Sequence, residues 1–281
     1  MNDIPSFENV PIEQVKEYWN SRPCNIRHSP SSIGTYQYFD EVEARKYFVE
    51  PHIPGFAAFE TWKGKKVLEI GCGIGTDTIN FARAGAQVTA VDLSDESLKL
   101  ARRRAEVFNL QDKILFYQAD AEQLTNIVPI QTYDLVYSFG VIHHTPHPER
   151  AIEQIRNYID ASSTLKIMVY HRNSWKVFWI LFTYGKGAFW KMEEVVSRHS
   201  EAQTGCPVTY TYSRESIHKL LSGFEITDIF VDHIFPYYIP DYVKYRYTKE
   251  WYFRYLPTPL FRWMEERWGW HLCVTARLAG G

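Results

Sequence analysis

Three glycines between a β-rich pentapeptide and a helical octapeptide constrain this chain more than any other feature. Lys66-Val67-Leu68-Glu69-Ile70 runs into Gly71-Cys72-Gly73-Ile74-Gly75. Thr76 to Arg83 then reads as a helix closed by Gly85. Such a turn lets a ligand approach the backbone closely, and the helix start offers unpaired N–H groups to an anion. The spacing is G-x-G-x-G, not the G-x-G-x-x-G of the pyrophosphate-binding fingerprint. Asp92 closes a second strand, 87–92, roughly 20 residues downstream, where a carboxylate can bind both ribose hydroxyls.

The alternation continues. Ser94 starts a helix running to about Asn109, with Asp95 and Glu96 in its first turn. Further strands are expected at 114–118, 133–138 and 165–170, with a helix at 148–159 before the last of these. Ser213 caps a short helix to Leu221, and strands at 224–230 and 271–278 follow. This rhythm predicts an α/β chain: a Rossmann-like, doubly wound, seven-stranded and mostly parallel sheet, its last strand antiparallel. Asp120-Ala121 follows the third strand and Ser138 ends the fourth, so both fall with Asp92 at the sheet's carboxyl edge.

The order of these motifs resembles the class I S-adenosylmethionine-dependent methyltransferases of the small-molecule type (methyltransferase type 11/12-like). The resemblance is strong over about 64–170 and weaker beyond. It implies that S-adenosylmethionine is bound and S-adenosylhomocysteine released. It places the acidic first-motif residue at Glu69 and the turn at Gly71, Cys72 and Gly73. It puts the ribose carboxylate at Asp92, with Leu93 beside the adenine, the adenine-side pair at Asp120 and Ala121, and the methionine end at Ser138.

Methyl transfer from a sulfonium is an in-line displacement, so the protein has to align an acceptor and, for a hydroxyl, help remove its proton. His143 and His144 follow the fourth strand and are the candidate catalytic residues, since imidazole moves protons near neutral pH. The resemblance implies a second role as well: in that family a double histidine after this strand often only shapes the pocket. With His147 they make three histidines in five residues, but no Cys or acid accompanies them at zinc-like spacing, so no metal is expected. Strand four lacks the Asn/Asp-Pro-Pro-aromatic sequence typical of methyltransferases acting on nitrogens of nucleic acid or protein. The net charge of −2 supplies no basic surplus either. The expected acceptor is therefore an oxygen or nitrogen of a small polar metabolite, with no nucleic-acid partner. The alternatives are an RNA or protein methyltransferase, or a non-catalytic module that binds the cofactor and holds a partner.

Composition adds one anomaly: 16% of the residues are aromatic. The excess sits outside the sheet, in an N-terminal arm or lid (1–63) and in two insertions, about 171–212 and 236–268, within a methyltransferase domain spanning 64–281. The second insertion holds 12 rings in 33 residues, interleaved with Lys and Arg. It reads as a packed cap, as a homodimer face, or as a segment touching a membrane surface. Tyr18, Arg22, Asn25 and His28 in the arm, and His171 after the fifth strand, are candidate acceptor contacts. The segment Glu201-Ala202-Gln203-Thr204-Gly205-Cys206-Pro207 reads as an ordered turn. The longest apolar run, near Val177–Phe182, is far short of the ~18 residues a spanning helix needs. The amino-terminal residues carry no export signal, and the four cysteines form no Cys-x-x-Cys pair, which suggests a cytoplasmic protein with reduced thiols.

Overall fold

A computed structural model describes residues 7–187, 189–200 and 205–279. Seven strands form one sheet: β1 (Lys66–Ile70), β2 (Gln87–Asp92), β3 (Ile114–Gln118), β4 (Leu135–Phe139), β5 (Thr164–Tyr170), β6 (Phe224–Asp232) and β7 (His271–Leu278). Their order is β3-β2-β1-β4-β5-β7-β6. The first five strands are parallel, and β7 runs antiparallel to both β5 and β6. The order reverses between β1 and β4, the switch point at which open α/β sheets bind ligands.

Strands buried on both faces need apolar side chains on both, and the core divides accordingly. One cluster gathers Val67, Val88, Ala90 and Tyr137 with Ile79, Phe81 and Leu98 from the helices Thr76–Arg83 and Asp95–Val107. The other gathers Leu68, Val136 and Ile167 with Ile152 and Ile155 of the helix Pro148–Ile155 and Ile217 of Arg214–Leu220. The caps are local and follow the sequence. Ser94 Oγ accepts the Ser97 N–H, and Ser213 and Ser216 form a reciprocal capping box.

Several boundaries differ from expectation. The helix expected over 148–159 ends at Ile155 and tightens into a 3₁₀ turn, Arg156–Tyr158. The fourth strand starts at Leu135 and ends at Phe139, so Ser138 lies inside the strand rather than at its end. The sixth strand also extends two residues past Phe230.

The arm packs onto the sheet's helices. Arg104 of the helix Asp95–Val107 is fully buried and ties three elements together. It donates to Thr76 Oγ1 at 2.6 Å, and to the Phe39 carbonyl and the Glu43 carboxylate at 3.0 Å each, both on the arm helix Tyr36–Val49. The second insertion docks on that same helix. Arg45 donates to the Tyr242 carbonyl and lies 4.0 and 4.4 Å from the ring centres of Tyr242 and Tyr245. Part of the ring excess thus serves to pack arm against insertion, while Trp251 and Tyr255 of the same insertion stay exposed. Among the described residues no helix is long and apolar enough to cross a membrane. Glu201–Thr204 of the expected turn lie outside the described residues.

Candidate functional site

A cavity of about 350 Å³ opens at the carboxyl ends of β1, β2 and β4. Its first half is built by the glycine turn. Gly71, Gly73 and Gly75 all take positive φ (+79°, +54° and +78°). At Gly71 a Cβ would land inside the Val141 side chain, whereas at Gly73 a Cβ would meet nothing within 4 Å. The two glycines thus do different work: Gly71 admits the chain after β4, and Gly73 leaves open a cradle against the backbone.

Asp92 Oδ2 accepts the Gly73 N–H at 2.7 Å, and Oδ1 accepts the Ser94 N–H at 2.8 Å. The carboxylate thereby locks the turn after β1 to the turn after β2 while lining the cavity. Burial pushes its pKa up to about 6, against the lowering effect of these N–H donors. Cys72, Leu93, Asp120 and Ala121 also line this half. Asp120 Oδ1 accepts the Glu122 N–H at 2.9 Å, capping the following 3₁₀ turn. Burial holds the Cys72 thiol well above its ordinary range, so it presents a neutral SH group.

Two of the expected cofactor residues stand behind the wall. Glu69 is buried and accepts the Thr78 hydroxyl at 2.5 Å. Burial first, then the nearby Asp77 charge, raise its pKa to about 8. Ser138 is fully buried and donates to the Ile70 carbonyl at 3.1 Å, tying β4 to β1. Because β4 ends one residue later than expected, Phe139 and Gly140 form the wall in its place.

The second half of the cavity is walled by Phe139, Met168, Tyr170 and Trp270, with His144, Lys46, Lys176, Glu50, His233 and His271 as polar groups. Of the two candidate catalytic histidines only His144 reaches the cavity, and its Nδ1 lies 2.8 Å from the Val208 carbonyl. His143 has no exposed surface, its ring nitrogens have no hydrogen-bond partner among the described residues, and its ring packs 3.8 Å from that of Tyr170. Burial, then the neighbouring His144, drive its pKa well down.

In the arm, Asn25 reaches the cavity, as do Trp19 and Cys24. Tyr18 and Arg22 are not among the residues lining it; Tyr18 is half-buried and edge-on to Trp19, with the Arg22 guanidinium 5.9 Å from its ring centre. Trp19 meets the His144 ring at 5.3 Å, and Asn20 holds the helix Ile12–Ser21 in place through Ser94 Oγ (2.7 Å) and Asp95 (2.9 Å). His28 pairs instead with the Tyr242 hydroxyl at 3.3 Å, and His171 with the Gly269 carbonyl at 3.1 Å. Both therefore brace the insertion rather than the cavity. Lys46, Glu50, Lys176, His233 and His271 were not anticipated. Apart from Lys46 and Glu50 at the end of one helix, they lie far apart along the chain.

Residues 67–161, a third of the chain, match the protein family described as "Methyltransferase domain". This span holds the glycine turn, Asp92, Asp120 and the double histidine. It is a class I S-adenosylmethionine-dependent methyltransferase domain. A ubiquinone biosynthesis O-methyltransferase of Psychrobacter cryohalolentis is 34% identical over 110 residues, 39% of this chain and 42% of that protein. One from Idiomarina loihiensis is 34% identical over 131 residues, 46% of this chain and 50% of that protein. The chain thus spans about half the length of the curated relatives it matches. The crystal structure of magnesium protoporphyrin IX methyltransferase from Synechocystis PCC 6803 with bound S-adenosylmethionine superposes over 99% of this chain and 100% of that one. Its TM-score is 0.56 at 17% identity, a likeness of fold. Of the second half of the cavity the match covers Phe139 and His144, while Lys46, Glu50, Met168, Tyr170, Lys176, His233, Trp270 and His271 lie outside it.

Proposed function

We propose that this protein transfers a methyl group from S-adenosylmethionine to a heteroatom of a small polar metabolite. The observation that carries the reading is the Asp92 carboxylate, locked to Gly73 and facing a cavity continuous with a second, aromatic-walled half. Asp92 would hold the ribose, the open face of Gly73 the methionine part, and Leu93, Asp120 and Ala121 the adenine. The cofactor supplies an electrophilic methyl group on a sulfonium. The chain's own task is to align an acceptor in the second half and keep water away. Trp19, Phe139 and Trp270 provide apolar walls for that, and Lys176 lies 4.4 Å from the Trp270 ring centre.

An oxygen acceptor is supported by the curated relatives, which are named O-methyltransferases. Its proton has to leave, and His144 is the one of the paired histidines set on the cavity wall. His144 is assigned the acceptor contact, and His143 the packing behind it. The net charge of −2 argues against RNA.

The test is labelling of a metabolite extract with heavy-methyl cofactor, read by mass spectrometry. A methylated small molecule that appears only with active protein is expected. His144→Gln should lower its formation more than His143→Gln does per folded molecule. Labelled RNA or protein in place of a metabolite would overturn the acceptor class. Cofactor binding with no labelled product in any extract would point to a binding module.

A further inference from the structure

The acceptor half of the cavity gathers an unusual set of side chains. Glu50 caps the end of the arm helix Tyr36–Val49, His233 follows β6, and His271 opens β7. One potential ligand atom from each lies within 4.8 Å of the others. His271 Nε2 is 3.6 Å from Glu50 Oε1, and the rings of His233 and His271 are 4.6 Å apart. We propose that Glu50, His233 and His271 form a site for a divalent transition-metal ion, with an open position facing the cavity that takes an oxygen donor of the acceptor.

Ligand chemistry and geometry both support this. An ion about 2.1 Å from each ligand sets those atoms roughly 3 to 3.5 Å apart. The Glu50–His271 spacing is already close to that, and side-chain rotation covers the widest separation. Two imidazoles and one carboxylate on one side of an ion leave its other positions open, the pattern of catalytic rather than structural sites. His271 is also oriented from behind. Its Nδ1 lies 3.0 Å from His52 Nε2, which leaves Nε2 toward Glu50, and such outer partners are characteristic of metal-bound histidines.

His233 adds a backbone signature. It takes φ +73°, a left-handed conformation uncommon for non-glycine residues. Two hydrogen bonds hold it there: its N–H donates to Asp232 Oδ1 at 2.6 Å, and its carbonyl accepts the Trp270 N–H at 2.7 Å. Strain of this kind persists where the surroundings enforce it, and here it aims an imidazole into the cavity. The Lys46 ammonium on the same wall is matched by Asp77 at 2.7 Å. No metal was expected from His143, His144 and His147, and the proposed ligands come from elsewhere in the chain.

The ion site needs only these three side chains, while its role toward an acceptor rests on the methyl-transfer reading. The test uses the full chain stripped with a chelator and titrated with Co²⁺, followed by visible absorption and proton NMR. One saturable equivalent is expected, with paramagnetically shifted signals from two coordinated imidazoles. Glu50→Gln and His233→Ala should each weaken binding at least tenfold, while S-adenosylhomocysteine affinity stays within twofold of the parent. Absence of saturable Co²⁺ binding to the parent, signals from fewer than two imidazoles, or affinity unchanged in both folded variants would overturn the site. Failure of S-adenosylhomocysteine to bind a parent that takes up Co²⁺ would count against the methyl-transfer reading and leave the ion site standing.

Discussion

Asp92 and Gly73 are joined by a 2.7 Å hydrogen bond from the Gly73 N–H to Asp92 Oδ2, so the carboxylate proposed to hold the ribose and the glycine turn are one unit. Replacing Asp92 with Asn keeps an acceptor for one of the two N–H groups but removes the charge. Calorimetry should show cofactor affinity reduced at least tenfold, about 1.4 kcal/mol or more. In the parent, affinity should be flat above pH 7 and fall toward tenfold per pH unit below about 6, where Asp92 takes up a proton. A pH-independent affinity would break the link between this carboxylate and the cofactor.

Gly71 is required for a different reason. An added Cβ meets the Val141 side chain and also sits at φ +79°. Gly71→Ala should cost about 2 kcal/mol or more in urea unfolding, while Gly73→Ala, with open space around its Cβ, should cost less stability and more cofactor affinity.

Glu69 makes stability depend on pH. Burial raises its folded pKa to about 8 from an ordinary 4.5, so between these values the folded chain holds a proton that the unfolded chain has lost. Its contribution is fully present below pH 4.5 and is lost as pH rises through about 8. The slope from this one group is at most about 1.4 kcal/mol per pH unit. Denaturation of Glu69→Gln across pH 5 to 8.5 should show a shallower decline than the parent.

Arg45 tests whether arm and insertion hold each other. It is buried, donates to the Tyr242 carbonyl, and packs on the rings of Tyr242 and Tyr245. Arg45→Ala should cost about 2 kcal/mol and speed proteolysis within 236–250. Cofactor affinity should stay within twofold, because these residues lie away from the glycine turn.

The domain that binds cofactor was legible because its signals are local. A strand, a glycine turn and a helix are adjacent in the chain, Ser94 and Ser213 cap the helices they precede, and each carboxyl-edge residue follows its own strand. Where the reading slipped, a single residue sufficed: β4 ends at Phe139, which turned Ser138 inward onto Ile70. His143 and His144 are likewise neighbours with one sequence signal, and only packing against Tyr170 and Trp19 separates their roles. The acceptor half had no such signal. Glu50, His233 and His271 come from a helix end, a loop and a strand start, and no spacing rule connects them. The sheet, the glycine turn and the place of Asp92 at the end of β2 were readable from the chain alone, because hydrophobic periodicity and turn chemistry act over a few residues. What lines the rest of the cavity depended on packing across the whole fold, because that wall forms where the arm and the C-terminal strands meet at the same edge of the sheet.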